Sequence, residues 1–379
     1  MDVAECLIWL CGQAVHEQVP EKECLLTADL EALYELASKH MLAAIVGMAL
    51  HGIGIDPPKF QKAVQIAQYK ALIADAERQR ISQKLDELEI WYVPLKGAEL
   101  KKYYPRSWMR ESADLDILFD ARQEEKVKEL MLAQGYQCTE YGTGHHDVYE
   151  KASGICVEMH VSLFGVEYDD YLNHYFGNVK ERLIREDGWE YRFTPEDAYL
   201  YATAHNYNHY VNSGVGFRAL LDTYLFLKKH EGSMDWAYLK EELGKLGVTE
   251  FESKFRRLAQ KCFGEGDAAE QGSLAAVFSK KSLNEDERKM FEYLAASGSH
   301  GRVSNRVENW IREGGGGFKG RVKYVWRRIF LPMDVVEHWF PFFYRHKILL
   351  PLLPLYRTYK GITGNKKKIS AEWKAFRRR

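Results

Sequence analysis

The sequence predicts an α+β chain, a mixed sheet with its own helices that is flanked by N-terminal and C-terminal helical regions. Three observations carry that reading. Apolar residues recur at helical spacing on both sides of a central stretch, while between residues 90 and 164 the texture changes to short β-rich runs separated by helical ones. The charge is unevenly placed as well. From Gly301 onward there are 19 Lys or Arg against 5 Asp or Glu, a local +14, so with a net charge of -1 the first 300 residues carry about -15.

At 379 residues, with 46% apolar and 28% charged residues, the chain can bury a substantial core. Cys6, Cys11, Cys24, Cys138, Cys156 and Cys262 are scattered without a C-x-x-C pair, which fits reduced thiols in a cytoplasmic protein and argues against a disulfide framework or a cysteine zinc site. The segment "MDVAECLIWLCGQAVHEQVPEKE" begins with an acid and lacks a basic lead, so no signal peptide is expected. No apolar run reaches the ~18 residues of a spanning helix. The nearest, "HWFPFFYRHKILLPLLPLYRTY", is cut by Arg345, His346, Lys347 and three prolines.

In chain order, residues 27–51 read as a helix after a Thr or Asp start, stopped by Gly52 and Gly54, and 58–88 as a longer polar helix. "IWYVPL" is a short strand, "AELKKYY" a short helix, and "DLDILF" an alternating strand ending at Asp120. "ARQEEKVKELMLAQGY" is an amphipathic helix closed by Gly135. "HDVYEKA" and "GICVEMHVSL" read as paired strands about a turn at Ser153-Gly154. Thr194-Pro195 opens a helical region containing "PEDAYLYATAHNYNHYV", "FRALLDTYLFLKK" and "DWAYLKEELGKLG", with further helical sequence at 281–312. The glycines at 314–317 precede a basic, aromatic-rich tail. The expected division is a helical cap (1–89), an α/β core (90–193), a helical domain (194–313) and the tail (314–379).

The chemistry concentrates in "VPLKGAELKKYYPRSWMRESADLDILF". Residues two apart on a strand share a face, so Asp114 and Asp116 are expected to project together while Leu115, Ile117 and Phe119 face the core. Two close carboxylates repel unless a cation lies between them, and Mg²⁺ suits such a place. Glu158 supplies a third carboxylate from a later strand, with His160 on the same face by parity. Two metal ions held there would clamp the attacking and leaving oxygens of a phosphoryl or nucleotidyl displacement. Gly97 at a strand-to-helix junction lets backbone N–H groups approach a phosphate, and Lys96 and Arg110 can neutralise its oxygens. A D-x-D pair or a Lys-Gly turn alone is common; their conjunction with Glu158 carries the reading.

That segment, with "VEMHVSL" and "AHNYNHYVNSGVGFRALLDTYLFL", resembles the uncharacterised bacterial nucleotidyltransferase family of the DNA polymerase β-type superfamily, over roughly residues 28–230. The resemblance implies a nucleotidyltransferase-type sheet. It also implies Gly97 at the phosphate turn, Asp114 and Asp116 as the metal pair, and Glu158 as the third acid. The superfamily's usual Gly-Ser or Gly-Gly is here Lys96-Gly97-Ala98, which removes a serine hydroxyl and makes Lys96 the candidate replacement. The 17-residue gap from Gly97 to Asp114 is also long for the superfamily.

His205 and His209 stand four apart on a helix, a spacing that can share a metal, but no H-E-x-x-H glutamate accompanies them. They read either as a polar helix face beside the sheet or as contacts to acceptor or phosphate. Arg218 and Asp222, one turn apart, read as an ion pair, and by the resemblance as second-tier site residues. In the tail, Trp326, Phe330, Trp339, Phe340 and Phe342 interleave with Lys and Arg, a pattern suited to peripheral contact with an anionic membrane surface at the inner membrane face. The acidic body and the lack of a recognised module disfavour nucleic acid. The expected activity is Mg²⁺-dependent transfer of a nucleoside monophosphate from an NTP to a hydroxyl or phosphate acceptor, with two metal ions. The alternative is a nucleotide-binding or interaction module that docks through its tail.

Overall fold

The computed structural model describes residues 1–25, 28–142, 144–165, 170–264 and 278–299, together with 307, 311, 317–330, 333, 336, 340–357 and 376. The glycines at 314–316, Trp339 and the basic stretch at 366–375 lie outside the described residues, as does most of the helical sequence expected at 300–312.

The apolar run near the N-terminus forms α1 (Val3–Val15). Asp2 caps it by accepting from the N–H groups of Ala4 and Glu5, while Glu5 reaches back to the Asp2 N–H. The segment read as one helix at 27–51 is two, α2 (Leu30–Lys39) and α3 (Ala43–His51). Met41 at φ 56° breaks it, and His40 beside it takes the Phe217 N–H on Nδ1 at 3.0 Å and places Nε2 3.3 Å from Ala295 O. Those partners lie far along the chain, so helical periodicity runs through the break without revealing it. The polar helix is α4 (Pro58–Glu87), close to its expected bounds.

The central unit follows as β1 (Tyr92–Pro94), α5 (Gly97–Leu100), β2 (Leu115–Phe119), α6 (Glu124–Ala133), β3 (Gln137–Glu140), β4 (His146–Glu150) and β5 (Cys156–His160). The sheet order is β1-β2-β5-β4-β3, with β2 and β5 parallel and the other neighbours antiparallel. This mixed sheet is the predicted fold class; β3 is an addition to the expected strands. Leu115, Ile117 and Phe119 pack on Ile81 and Leu85 of α4 and on Val127, Leu130 and Met131 of α6. The other face carries Asp116 and Leu118.

That second face is covered by the later helices. After α7 (Asp170–Tyr175) and the hairpin β6 (Leu183–Arg185) and β7 (Tyr191–Phe193) come α8 (Pro195–Asn212), α9 (Phe217–His230), α10 (Trp236–Lys245), α11 (Thr249–Phe263) and α12 (Glu285–Ser297). Leu200 and Ala204 of α8 join Leu118, Val93 and Leu95 in one cluster. A larger cluster joins Leu7, Leu10, Ile45 and Leu50 of α1 and α3 to Leu221, Leu258 and Phe291 of α9, α11 and α12. Each such fully buried side chain contributes roughly 1.5–3 kcal/mol. The helices read separately at the two ends of the sequence therefore share a core, which fixes α8 and α9 over the sheet. In the tail, α13 (Gly317–Ile329) leaves Phe318, Val322, Val325, Trp326 and Ile329 exposed. Among the described residues, no helix is long and apolar enough to cross a membrane.

Candidate functional site

Three pieces of chain meet where the sheet faces α8: the turn after β1, the loop leading into β2, and β5. The parallel register pairs Asp116 with Glu158 and Leu118 with His160, so both acids and the histidine rise from one face, as strand parity requires. The facing helices close a cavity of about 640 Å³ lined by Lys96, Asp114, Asp116, Glu158, His205, His209 and Arg218, among others.

Asp116 is the most enclosed acid. It accepts from Lys96 Nζ at 2.8 Å, and His160 Nε2 lies 2.9 Å from the same Oδ1. Burial alone would raise its pKa, but the charges of Lys96 and His160 and their hydrogen bonds hold it well below the usual carboxylate range. Lys96 lies half-buried against that acid, and the attraction of Asp116 outweighs the desolvation and keeps the ammonium charged. His160 is pulled both ways. Burial disfavours the imidazolium, while the hydrogen bonds it donates to Asp116 and Glu158 raise its pKa overall.

Asp114 departs from expectation. It lies on the bend just before β2 rather than on the strand, because the ladder with β5 begins only at Leu115 and Val157. Burial, reinforced by the charges of Asp116 and Glu158, pushes its carboxyl up to about 6. Donor atoms of Asp116, Glu158 and His160 lie within 4.8 Å of one another, and Asp114 stands outside that group. An excess of closely spaced carboxylates, one of them resisting ionisation, is the donor chemistry that a hard divalent cation relieves. The residues therefore fit such an ion.

The Gly97 turn is built by close approach. A Cβ there would fall on Ser112 Oγ and 2.7 Å from Arg110 Nη1, so any larger residue would have to displace those side chains. Beside it Lys96 holds φ 42° and ψ -104°, a conformation that costs a side-chain-bearing residue energy. The hydroxyl missing at position 98 thus reaches the turn from Ser112, as the chain that follows the turn folds back to deliver it.

Arg110 requires a correction. The sequence reading aims it at phosphate, yet its Nε and Nη2 donate to Asp222 Oδ1 and Oδ2 at 3.0 and 2.9 Å, and Nη1 donates to Ser112 Oγ at 2.7 Å. Tyr104 OH also donates to Asp222 at 2.7 Å. The ion pair expected between Arg218 and Asp222 is therefore made by Arg110 and Asp222, which ties the site loop to α9. Two charged groups that are both almost wholly buried pair in this geometry because neither can be left alone. Arg218 instead donates from Nη1 to Glu111 O at 2.7 Å and lines the cavity, with its pKa lowered by burial and by Arg110.

His205 and His209 both line the cavity, with their Nε2 atoms 3.2 Å apart. Burial lowers both pKa values, that of His209 to about 4. His145 and His146 are additions that the sequence reading missed. Antiparallel register sets His146 opposite His160, and burial lowers the pKa of both new histidines, that of His145 to about 3. The signal available was the His-His pair opening "HHDVYE", a strand already read as the neighbour of "VEMH".

A family model described as an uncharacterised nucleotidyltransferase matches residues 27–264. No curated protein and no solved structure matches the chain.

Proposed function

The chain belongs to the uncharacterised nucleotidyltransferase family, and on that premise we propose that it transfers a nucleoside monophosphate from an NTP to a hydroxyl or phosphate acceptor, with Mg²⁺ bound at Asp114, Asp116 and Glu158. The observation that carries the reading is the cross-strand pair Asp116 and Glu158, which lines one cavity together with Lys96, ion-paired to Asp116, and with Arg218. Acids to hold cations and cations to hold phosphates line one space of about 640 Å³.

Bound metal would supply charge stabilisation to the oxygens that enter and leave. The chain's own residues do the rest. Lys96 and Arg218 neutralise the triphosphate, the Gly97 turn lets backbone N–H groups approach it, and Ser112 Oγ, which accepts from Arg110, keeps its own O–H to donate. The acceptor oxygen attacks the α-phosphorus as the bond to pyrophosphate breaks, and its proton passes to Glu158. Arg110 and Asp222 position the loop and touch no reacting atom in this scheme.

The test is pyrophosphate release with Mg²⁺ and each of the four NTPs, on the wild type and on Asp116→Asn. Release with one NTP that the variant loses supports the proposal. A folded wild type that binds no NTP overturns it.

The tail supports a second reading, docking at an anionic membrane surface. On α13 the exposed Phe318, Val322, Val325 and Ile329 recur at helical spacing beside Trp326, with Lys319 and Lys323 alongside. Co-sedimentation with phosphatidylserine vesicles should fall in a Phe318→Asp, Trp326→Asp variant. Equal sedimentation of variant and wild type ends this reading.

A further inference from the structure

The three histidines at the edge of the cleft have a geometry of their own. One ring nitrogen from each of His145, His146 and His160 lies within 4.8 Å of the other two. His146 Nδ1 and His145 Nε2 are 3.3 Å apart, with the rings nearly perpendicular at 86°. Two nitrogens on a tetrahedral ion at ~2.0–2.1 Å are separated by about 3.3–3.4 Å, so this spacing already matches one edge of such a site. The His160 ring stands 4.9 Å from His146 and 5.4 Å from His145, centre to centre.

The second observation concerns His160 itself. Its side chain is 1% exposed, and Nδ1 is buried with no hydrogen-bond partner among the described residues. Nε2 faces Asp116 Oδ1 at 2.9 Å and Glu158 Oε2 at 3.4 Å, so Nε2 keeps a proton and Nδ1 is the atom whose proton a bound cation would displace. Histidines that bind metal are typically backed by a carboxylate on the other ring nitrogen. His146 stands close to the same acid, with Nε2 3.8 Å from Glu158 Oε1, while Nδ1 faces His145. A buried ring nitrogen without a partner is destabilising unless something satisfies it.

We propose that His145, His146 and His160 form a second cation site, selective for a divalent transition ion of the zinc type, with Asp116 and Glu158 backing its ligands. Imidazole nitrogen favours such ions over Mg²⁺, which prefers oxygen. Three histidine ligands leave a fourth position for water or substrate, the arrangement of a site that acts on a bound molecule. The inference stands on ligand geometry and does not depend on nucleotidyl transfer.

The test uses the full chain, stripped with chelator and titrated with Co²⁺ and, by calorimetry, with Zn²⁺ in excess Mg²⁺. Wild type is expected to give the intense visible absorption of nitrogen-ligated, low-coordinate Co²⁺, and to bind Zn²⁺ despite the Mg²⁺. Asp114→Asn should keep both signals. His145→Ala combined with His146→Ala should lose both, and if that variant does not fold, His145→Gln and His146→Gln singly should each weaken Zn²⁺ at least about tenfold. A wild-type spectrum like that of aqueous Co²⁺, or full binding by these variants, overturns the proposal. Binding kept in them but lost in His205→Gln also overturns it, since the ion would then belong to α8.

Discussion

Lys96 donates from Nζ to Asp116 Oδ1 at 2.8 Å, and it does so from a backbone held at φ 42°. The strained residue and the buried acid are one device. The turn after β1 must bend sharply for the amine to meet the strand that follows, and the ion pair helps to hold that bend. Two replacements separate the contributions. Lys96→Gly and Lys96→Ala both remove the amine, but only alanine keeps a Cβ at positive φ. Lys96→Gly should be more stable than Lys96→Ala by about 1–2 kcal/mol in urea denaturation. Both should slow pyrophosphate release by roughly 10²–10³-fold if Lys96 meets developing charge.

Gly97 offers a repair experiment. Gly97→Ala places a methyl on Ser112 Oγ and beside Arg110 Nη1, so it should lower the melting temperature. Adding Ser112→Gly removes the nearer obstacle and should recover part of the stability. If Gly97→Ala alone melts like wild type, the close approach at this turn is wrong.

The Arg110 and Asp222 pair should behave as a buried ion pair. Asp222→Ala strands the guanidinium, with an expected loss of about 3–5 kcal/mol. Arg110→Met with Asp222→Leu strands neither charge and should cost clearly less than the sum of the single changes. A double-mutant cycle by denaturant titration reads this directly.

Stability should also depend on pH through His40. Burial lowers its folded pKa to about 4 from an ordinary 6.5, and it is neutral where it caps the Phe217 N–H. The unfolded chain takes up the proton first as pH falls, so stability present above pH ~6.5 is lost progressively toward pH ~4, by about 3 kcal/mol from this group. The difference in unfolding free energy between wild type and His40→Gln should shrink by that amount between pH 7 and pH 4. A difference that does not vary with pH excludes His40 as the source.

How much of this was legible in the sequence follows from which interactions are local. Strand alternation in "DLDILF" and "CVEMHVSL" determined that Asp116, Glu158 and His160 share a face, since the period of a strand is a property of the backbone. Amphipathic spacing determined the helices α4, α6, α8 and α9, and the central α/β texture determined the mixed sheet. The tertiary structure decided what depends on residues distant along the chain. The break at His40 is set by α9 and α12. Arg110 pairs with Asp222, 112 positions along the chain, and is not left free to meet a phosphate, because a buried charge takes the partner that packing brings to it. Asp114 falls off the strand because the ladder stops one residue after it, and His145 and His146 enter the site because β4 lies against β5 in one register. Periodicity says which way a side chain points; only the packed fold says what it meets there.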